Sequence, residues 1–198
     1  MKHVTYSYPK SSFLSVDKDM NLIISKLCTN ERLKKLLYYT DKNALSQPNL
    51  TDEQMISMMG KNIKNIPKLK VDGDSLIYLV ISFDSFMPNN TNPQFRNNVI
   101  ELDIICHFDQ WNLKDFELRP YKIAAELDSM LDGQHLTGIG DVEFASANEF
   151  VQNDEFAGLC LIYTVIHGEE DKKYSLNPQN DASIINNYNK IFNNNPWN

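Results

Sequence analysis

Polar and apolar side chains alternate from residue 99 to 108: Ile100, Leu102, Ile104, Cys106 and Phe108 fall on one side, Glu101, Asp103 and His107 on the other. A period of two predicts a half-buried β-strand. Residues 75–83 (SLIYLVISF) and 156–166 (FAGLCLIYTVI) are apolar on both faces, as strands covered on each side are; the second is the best candidate for the sheet centre. Residues 142–151 alternate weakly and read as an edge strand. The stretch 87–98 (MPNNTNPQFRNN) is dense in Pro and Asn and too long for a tight hairpin turn, so it reads as a loop. Between the strand pairs, Arg119-Pro120 opens a helix, because proline is tolerated in the first turn. Ile123, Ala124, Leu127, Met130 and Leu131 form its apolar stripe and Gly133 ends it.

The N-terminal third follows a helical period instead. Met20, Ile23, Ile24, Leu27 and Cys28 share a face, with Ser15 or Asp17 as the cap, and Leu33, Leu36 and Leu37 follow a kink or new cap at Thr29-Asn30. Thr51 and Gln54 have capping-box spacing ahead of Met55–Met59, which Gly60 stops. Residues 61–70 are basic. The tail from Gly168 is charged and then Asn-rich, flexible by composition. Within it Ile184, Tyr188, Ile191 and Phe192 recur at i, i+4, i+7 and i+8, the spacing of a short amphipathic helix that needs a surface to dock on.

These elements predict an α+β protein: a mostly antiparallel sheet of about four strands in ββαββ order, packed against helices, with N-terminal helices and a flexible C-terminal arm. The expected organisation is an N-terminal arm over 1–14, one α+β domain over 15–168 (helical 15–70, sheet and helix 74–168) and an Asn-rich arm over 169–198. A chain of 198 residues with 42% hydrophobic content suits one domain with a real core. The net charge of −7 argues against a general nucleic-acid binder, which needs a basic surface to displace counterions. Cys28, Cys106 and Cys160 lie far apart in apolar stretches without a C-x-x-C, so free buried thiols in a reducing compartment are expected. The first residues, MKHVTYSYPK, hold no apolar signal core, and no run approaches the ~18 apolar residues of a membrane span. A soluble protein made inside the cell is expected.

The search for chemistry returns little. Asp103 and His107 share the polar side of one strand but lie roughly 13 Å apart at about 3.3 Å per residue, too far to share a small ion. No G-x-S-x-G, P-loop, G-x-G-x-x-G or H-E-x-x-H occurs. Gly138-Ile139-Gly140-Asp141 follows a helix instead of opening one and reads as a turn. No catalytic residue, metal ligand or cofactor is therefore expected. Candidate interaction residues are Phe95 and Arg96 near the end of the long loop, since aromatics and arginines anchor interfaces; packing of Phe95 into the core is the alternative. Arg119 is a further candidate, because a cation at a helix start is unfavourable unless an acidic partner meets it. In the tail, the candidates are Ile184, Tyr188 and Phe192. Glu101, Asp103 and His107 form the candidate polar face.

The segment 97–168, through VIELDIICHFDQW, LRPYKIAAELDSMLDGQHLTGIGDVEF and FAGLCLIYTVIHG, resembles the tail terminator (tail completion) proteins at the head–tail junction of tailed bacteriophages. The resemblance implies a non-catalytic virion protein, assembled in the host cytoplasm. It would form a homo-oligomeric ring, commonly six-fold, that closes the tail tube and joins it to neck or connector proteins. DNA would pass through without specific binding, and Glu101 and Asp103 would contribute to an acidic lumen that lets it slide. Two other classes stay open: a small enzyme or ligand-binding domain whose site is assembled from distant residues, and a monomeric adaptor that binds through its C-terminal helix.

Overall fold

The computed structural model describes residues 13, 16–65, 76–88, 90, 96–136 and 139–167. The expected terminal arms, the tail helix and Phe95 lie outside these residues, apart from Phe13. Among the described residues there are four α-helices and six strands: α1 (Val16–Leu27), α2 (Glu31–Tyr38), α3 (Asp52–Lys61), β1 (Ile63–Lys64), β2 (Ile77–Pro88), β3 (Arg96–His107), α4 (Arg119–Leu131), β4 (Gln134–Leu136), β5 (Gly140–Val151) and β6 (Phe156–His167). The sheet order is β1-β2-β3-β6-β5-β4, antiparallel except for the β1–β2 pair. The mixed α+β class is as expected, but the sheet has six strands and not about four. The two extra strands are short edge pieces, too brief to leave a periodic signal.

All four helices pack on one face of the sheet. Ile77, Leu79 and Ile81 of β2, Ile100, Leu102, Ile104 and Cys106 of β3, and Leu159, Leu161, Tyr163 and Val165 of β6 point into one cluster. They meet Ile23 and Leu27 of α1, Leu33, Leu36 and Leu37 of α2, Met55 and Met58 of α3, and Ile123, Leu127 and Leu131 of α4. The strictly alternating β3 supplies one half of its side chains to this core, and β6 sits beside it at the sheet centre. Tyr78, Val80, Ile105 and Phe156 point the other way and form a second, smaller cluster with Phe150. Gly158 lies in β6 opposite Ile105, where an added Cβ would stand 1.9 Å from the Ile104 carbonyl oxygen.

Two bulges explain where the sequence pattern misleads. In β5 the register shifts between Phe144 and Ser146. Val142 and Phe144 therefore face the helices before the shift and Ala147, Glu149 and Val151 after it, so the period changes phase in mid-strand. In β2 the shift between Phe83 and Phe86 puts both rings on the same side, with centroids 6.0 Å apart. The pairing resumes beyond it, joining Met87 to Asn97 and Pro88 to Arg96. The expected loop at 87–98 is thus shorter than its composition suggests, because both of its ends are strand.

Local signals hold well at the helix starts. Thr51 and Gln54 form the full capping box, and Asn30 caps α2 by accepting from the Leu33 N–H. Asp17 lies inside the first turn of α1 instead of capping it. Gly60 stands in the last turn of α3, and Asn62 is its C-cap. Gly133 takes φ 67° just past α4, the left-handed position that glycine accepts without strain.

One turn leaves no sequence signal. Between β3 and α4 the chain forms a tight hairpin: Arg119 N–H donates to the Trp111 carbonyl, Leu113 N–H to that of Glu117, and Asn112 bridges Leu118. At its tip Asp115 has φ 60°, ψ 30° and Phe116 has φ 60°. Two successive positive φ values are the mark of a primed hairpin turn, which normally calls for Asn-Gly.

Leu127 is fully buried at the centre of the main cluster. Leu127→Ala is expected to cost about 2–5 kcal/mol in chemical denaturation as a core truncation; a neutral result would mean that α4 does not pack on the sheet as described.

Candidate functional site

The residues expected to carry function fall into three environments. Arg119, expected at an interface, is instead sealed inside the chain's own fold at 0% exposure. Its Nε donates to the Gln110 carbonyl at 2.9 Å, and Nη1 to those of Leu36 and Tyr39 at 2.8 Å each. Nη2 reaches Asp41 O at 2.8 Å and Thr40 O at 3.4 Å. The acidic partner that a cation at a helix start calls for is thus largely replaced by the carbonyls at the end of α2, where a helix presents its negative pole. Burial pulls the Arg119 pKa below its ordinary value, while the Cys106 thiol and the Asp41 carboxylate oppose that shift. Asn62 completes the same cap: its Nδ2 donates to the Leu37 carbonyl at 2.8 Å and the Ile77 carbonyl at 2.9 Å. These two side chains tie α2, α3, α4 and β2 together, and sequence reasoning overlooked Asn62 because a single polar residue after a helix looks like any other cap.

Glu101 and Asp103 stand side by side on the sheet face away from the helices, both half-buried. Cys160 pairs with Asp103 across β3 and β6, and its Sγ donates to Glu101 Oε1 at 3.3 Å. One ligand atom from each of the three lies within 4.8 Å of the others. Sequence analysis placed the two carboxylates together but could not bring Cys160 to them, since that contact depends on the β3–β6 register. Burial, the hydrogen bond to Glu101 and the two negative charges drive the Cys160 pKa far up, so the thiol stays protonated and donates. That is the reverse of the thiolate a soft metal selects. Desolvation raises the Asp103 pKa, the Cys160 hydrogen bond opposes it, and Glu101 adds to the rise. Cys28 and Cys106 are buried thiols, each pushed up to about 12 by desolvation, and are unreactive at neutral pH.

His107 was expected to face solvent on this same side. Its side chain is only 15% exposed. It stacks on Phe108 at 4.4 Å and meets Phe156 edge-on at 5.1 Å, while Nδ1 accepts from the Asp109 N–H at 3.2 Å. The strand ends here, and the aromatic cluster beneath it folds the imidazole in; His107 is packing and a cap, not part of a solvated face. Arg96 is half-buried at the other end of β3, beside Pro88 and His167. Ile184, Tyr188 and Phe192 lie outside the described residues, as does Phe95.

A helix-backed α+β sheet protein is the class that this arrangement defines, with buried Arg119 and Asn62 engaged in holding helix ends. The chain belongs to the YomW family, which it matches over residues 30–165. No curated protein matches it. Among solved structures it is similar to a crystal structure from Akkermansia muciniphila at 12% identity, over 82% of this chain and 98% of that one, with a TM-score of 0.28. A superposition that loose carries no argument about fold or function.

Two outcomes follow. Arg119→Met is expected to lose on the order of 3–5 kcal/mol in a denaturant titration, because a cluster of buried carbonyls loses its donor. Arg119→Lys should restore only part of that, since one ammonium cannot span the fork; near-neutral values for both would remove the node from the account. For Asp103, a carboxyl whose folded pKa lies above its unfolded one favours folding at low pH. That advantage disappears as pH rises from the unfolded pKa through the raised folded value. Asp103→Asn should therefore be stabilising at neutral pH relative to the wild type, with the gain vanishing in acid; a gain that is constant with pH would contradict the cause assigned.

Proposed function

We propose that this chain is a structural virion protein that forms an oligomeric ring at the head–tail junction of a tailed phage. The ring closes the tail tube, joins it to the neck or connector proteins and performs no catalysis. The observation that carries the reading is the two-faced sheet. One face is covered by all four helices, whereas among the described residues no helix lies on the other. That open face runs from the buried aromatic cluster at one end, through the Glu101–Asp103 carboxylates, to exposed Thr164 and Ile166 at the other. A sheet covered on one side and polar in the middle of the other suits a wall element of a ring, with its helices outward and its carboxylates towards a DNA passage that repels phosphate. The net charge of −7 has the same sign. Among the described residues no helix is long and apolar enough to cross a membrane.

The YomW match supports this reading only as far as family membership; the ring and its place in the virion are the proposal. Light scattering on a sizing column, with negative-stain images of the same fractions and of fractions mixed with purified tail tubes, tests it. Closed rings of about six subunits, or density at tail-tube ends, are expected. A protein that stays monomeric and leaves tail-tube ends bare overturns the reading in favour of a monomeric adaptor or an enzyme.

A further inference from the structure

On the sheet face away from the helices, one row of residues crosses four strands in register. Tyr78 of β2 pairs with Ile105 of β3, Ile105 with Gly158 of β6, and Gly158 with Phe150 of β5. Val80 flanks the row on one side and Phe156 on the other, with the Tyr78 and Phe156 rings 6.0 Å apart. Gly158 contributes no side chain, so the row dips between Ile105 and Phe150. The result is a shallow apolar trough about 14 Å long, from three strand spacings of about 4.8 Å.

This trough is sealed. Tyr78 is 0% exposed, Ile105 2%, Val80 3% and Phe156 4%. Phe150 and the His107 ring meet the cluster at its rim, and among the described residues no helix lies on this face. Strand neighbours alone do not bury a side chain so far: Ile166, on the same face of β6 and paired with β3, is 52% exposed. A tyrosine standing on a sheet loses all its exposure only beneath a further layer. These side chains are sealed within a single chain, so the layer belongs to this chain and not to a second copy.

Three stretches outside the described residues are available. Residues 1–12 lead into Phe13, which packs on Phe86 at 4.8 Å, on the helix side and at the far end of β2. Residues 66–75 (IPKLKVDGDS) hold no aromatic ring and no helical stripe. The C-terminal arm has the matching pattern: Ile184, Tyr188, Ile191 and Phe192 span about 12 Å at about 1.5 Å per residue. It also has the reach. β6 is about 36 Å long from Phe156 to His167, and the sixteen residues 168–183 extend to about 53 Å.

We propose that the trough is the seat of the chain's own C-terminal arm, with the Ile184–Phe192 stripe laid across β2, β3, β6 and β5. A short amphipathic helix gains the surface it needs, and one end of the sheet gains its second layer. The footprint stops beside Asp103 and Cys160, both half-buried, and leaves Thr164 and Ile166 exposed. The docking does not depend on the ring reading.

Tyr188→Asp/Phe192→Asp in the full chain should uncover the trough, so that anilinonaphthalene sulfonate fluorescence rises roughly fivefold or more while unfolding stays cooperative. Wild-type dye binding should be low and independent of protein concentration, and Leu69→Asp/Val71→Asp should leave it low. Phe150→Cys combined in turn with Ile184→Cys and Phe192→Cys, in a Cys160→Ser background, tests the contact directly. One of the two pairs should cross-link within the monomer on mild oxidation; both are made because the trough accepts the helix in either direction. Unchanged dye binding in the tail variant, or no cross-link within the monomer from either pair in cooperatively folded protein, overturns the proposal. So does a rise with Leu69→Asp/Val71→Asp alone, which assigns the layer to residues 66–75. A cross-link found only between two chains overturns it in favour of a second copy.

Discussion

A cation in the first turn of a helix faces that helix's own positive pole, and α4 begins with one. Arg119 escapes the conflict by turning its guanidinium into the end of α2, where carbonyls that lack helical partners present the opposite pole. Two termini that would each be unfavourable alone are resolved by one side chain. The same side chain reaches Gln110 and Asp41, so the connection leaving β3, the turn after α2 and the start of α4 share a single anchor. Asn62 does the corresponding work between α2, the end of α3 and β2. These buried donors fix the helices to the sheet through specific carbonyls, whereas apolar contacts alone tolerate sliding.

The sheet depends on this layer for one face and on register for the other. β3 pairs along its length with β2 and β6, and through those pairings the alternation of one strand is imposed on three. The bulges in β2 and β5 change which residues face inward without interrupting the ladder. On the face away from the helices, the β3–β6 register brings Cys160 beside Glu101 and Asp103, where the thiol donates to one carboxylate and burial makes the other harder to ionise. A partly desolvated pair of carboxylates is a cost to the isolated fold, to which the proposed ring gives a use by turning them towards a polyanion.

The hairpin at Phe116 is the second place where the protein carries strain. Buried strain is offset by the packing around it, but a ring at 93% exposure gains nothing from its own domain.

Much of this architecture was legible in the chain. Alternation in β3, continuous apolar runs in β2 and β6, the capping box at Thr51 and the stripe on α4 are local patterns, set by the periods of two and 3.6 that any strand or helix imposes on its buried side. The identity of the sheet centre follows from them too. What the local pattern does not contain is pairing. The burial of Arg119, the meeting of Cys160 with the carboxylates and the two edge strands depend on which segments lie together, and the bulge phases are set by the partner strand. The burial of His107 depends on Phe156, far along the chain. The primed turn at Asp115-Phe116 breaks the residue preference by which such turns are recognised. Periodicity determined the elements because each element's backbone sees only its own residues; tertiary structure decided the polar contacts because donors and acceptors distant in sequence become partners only once the sheet register is set.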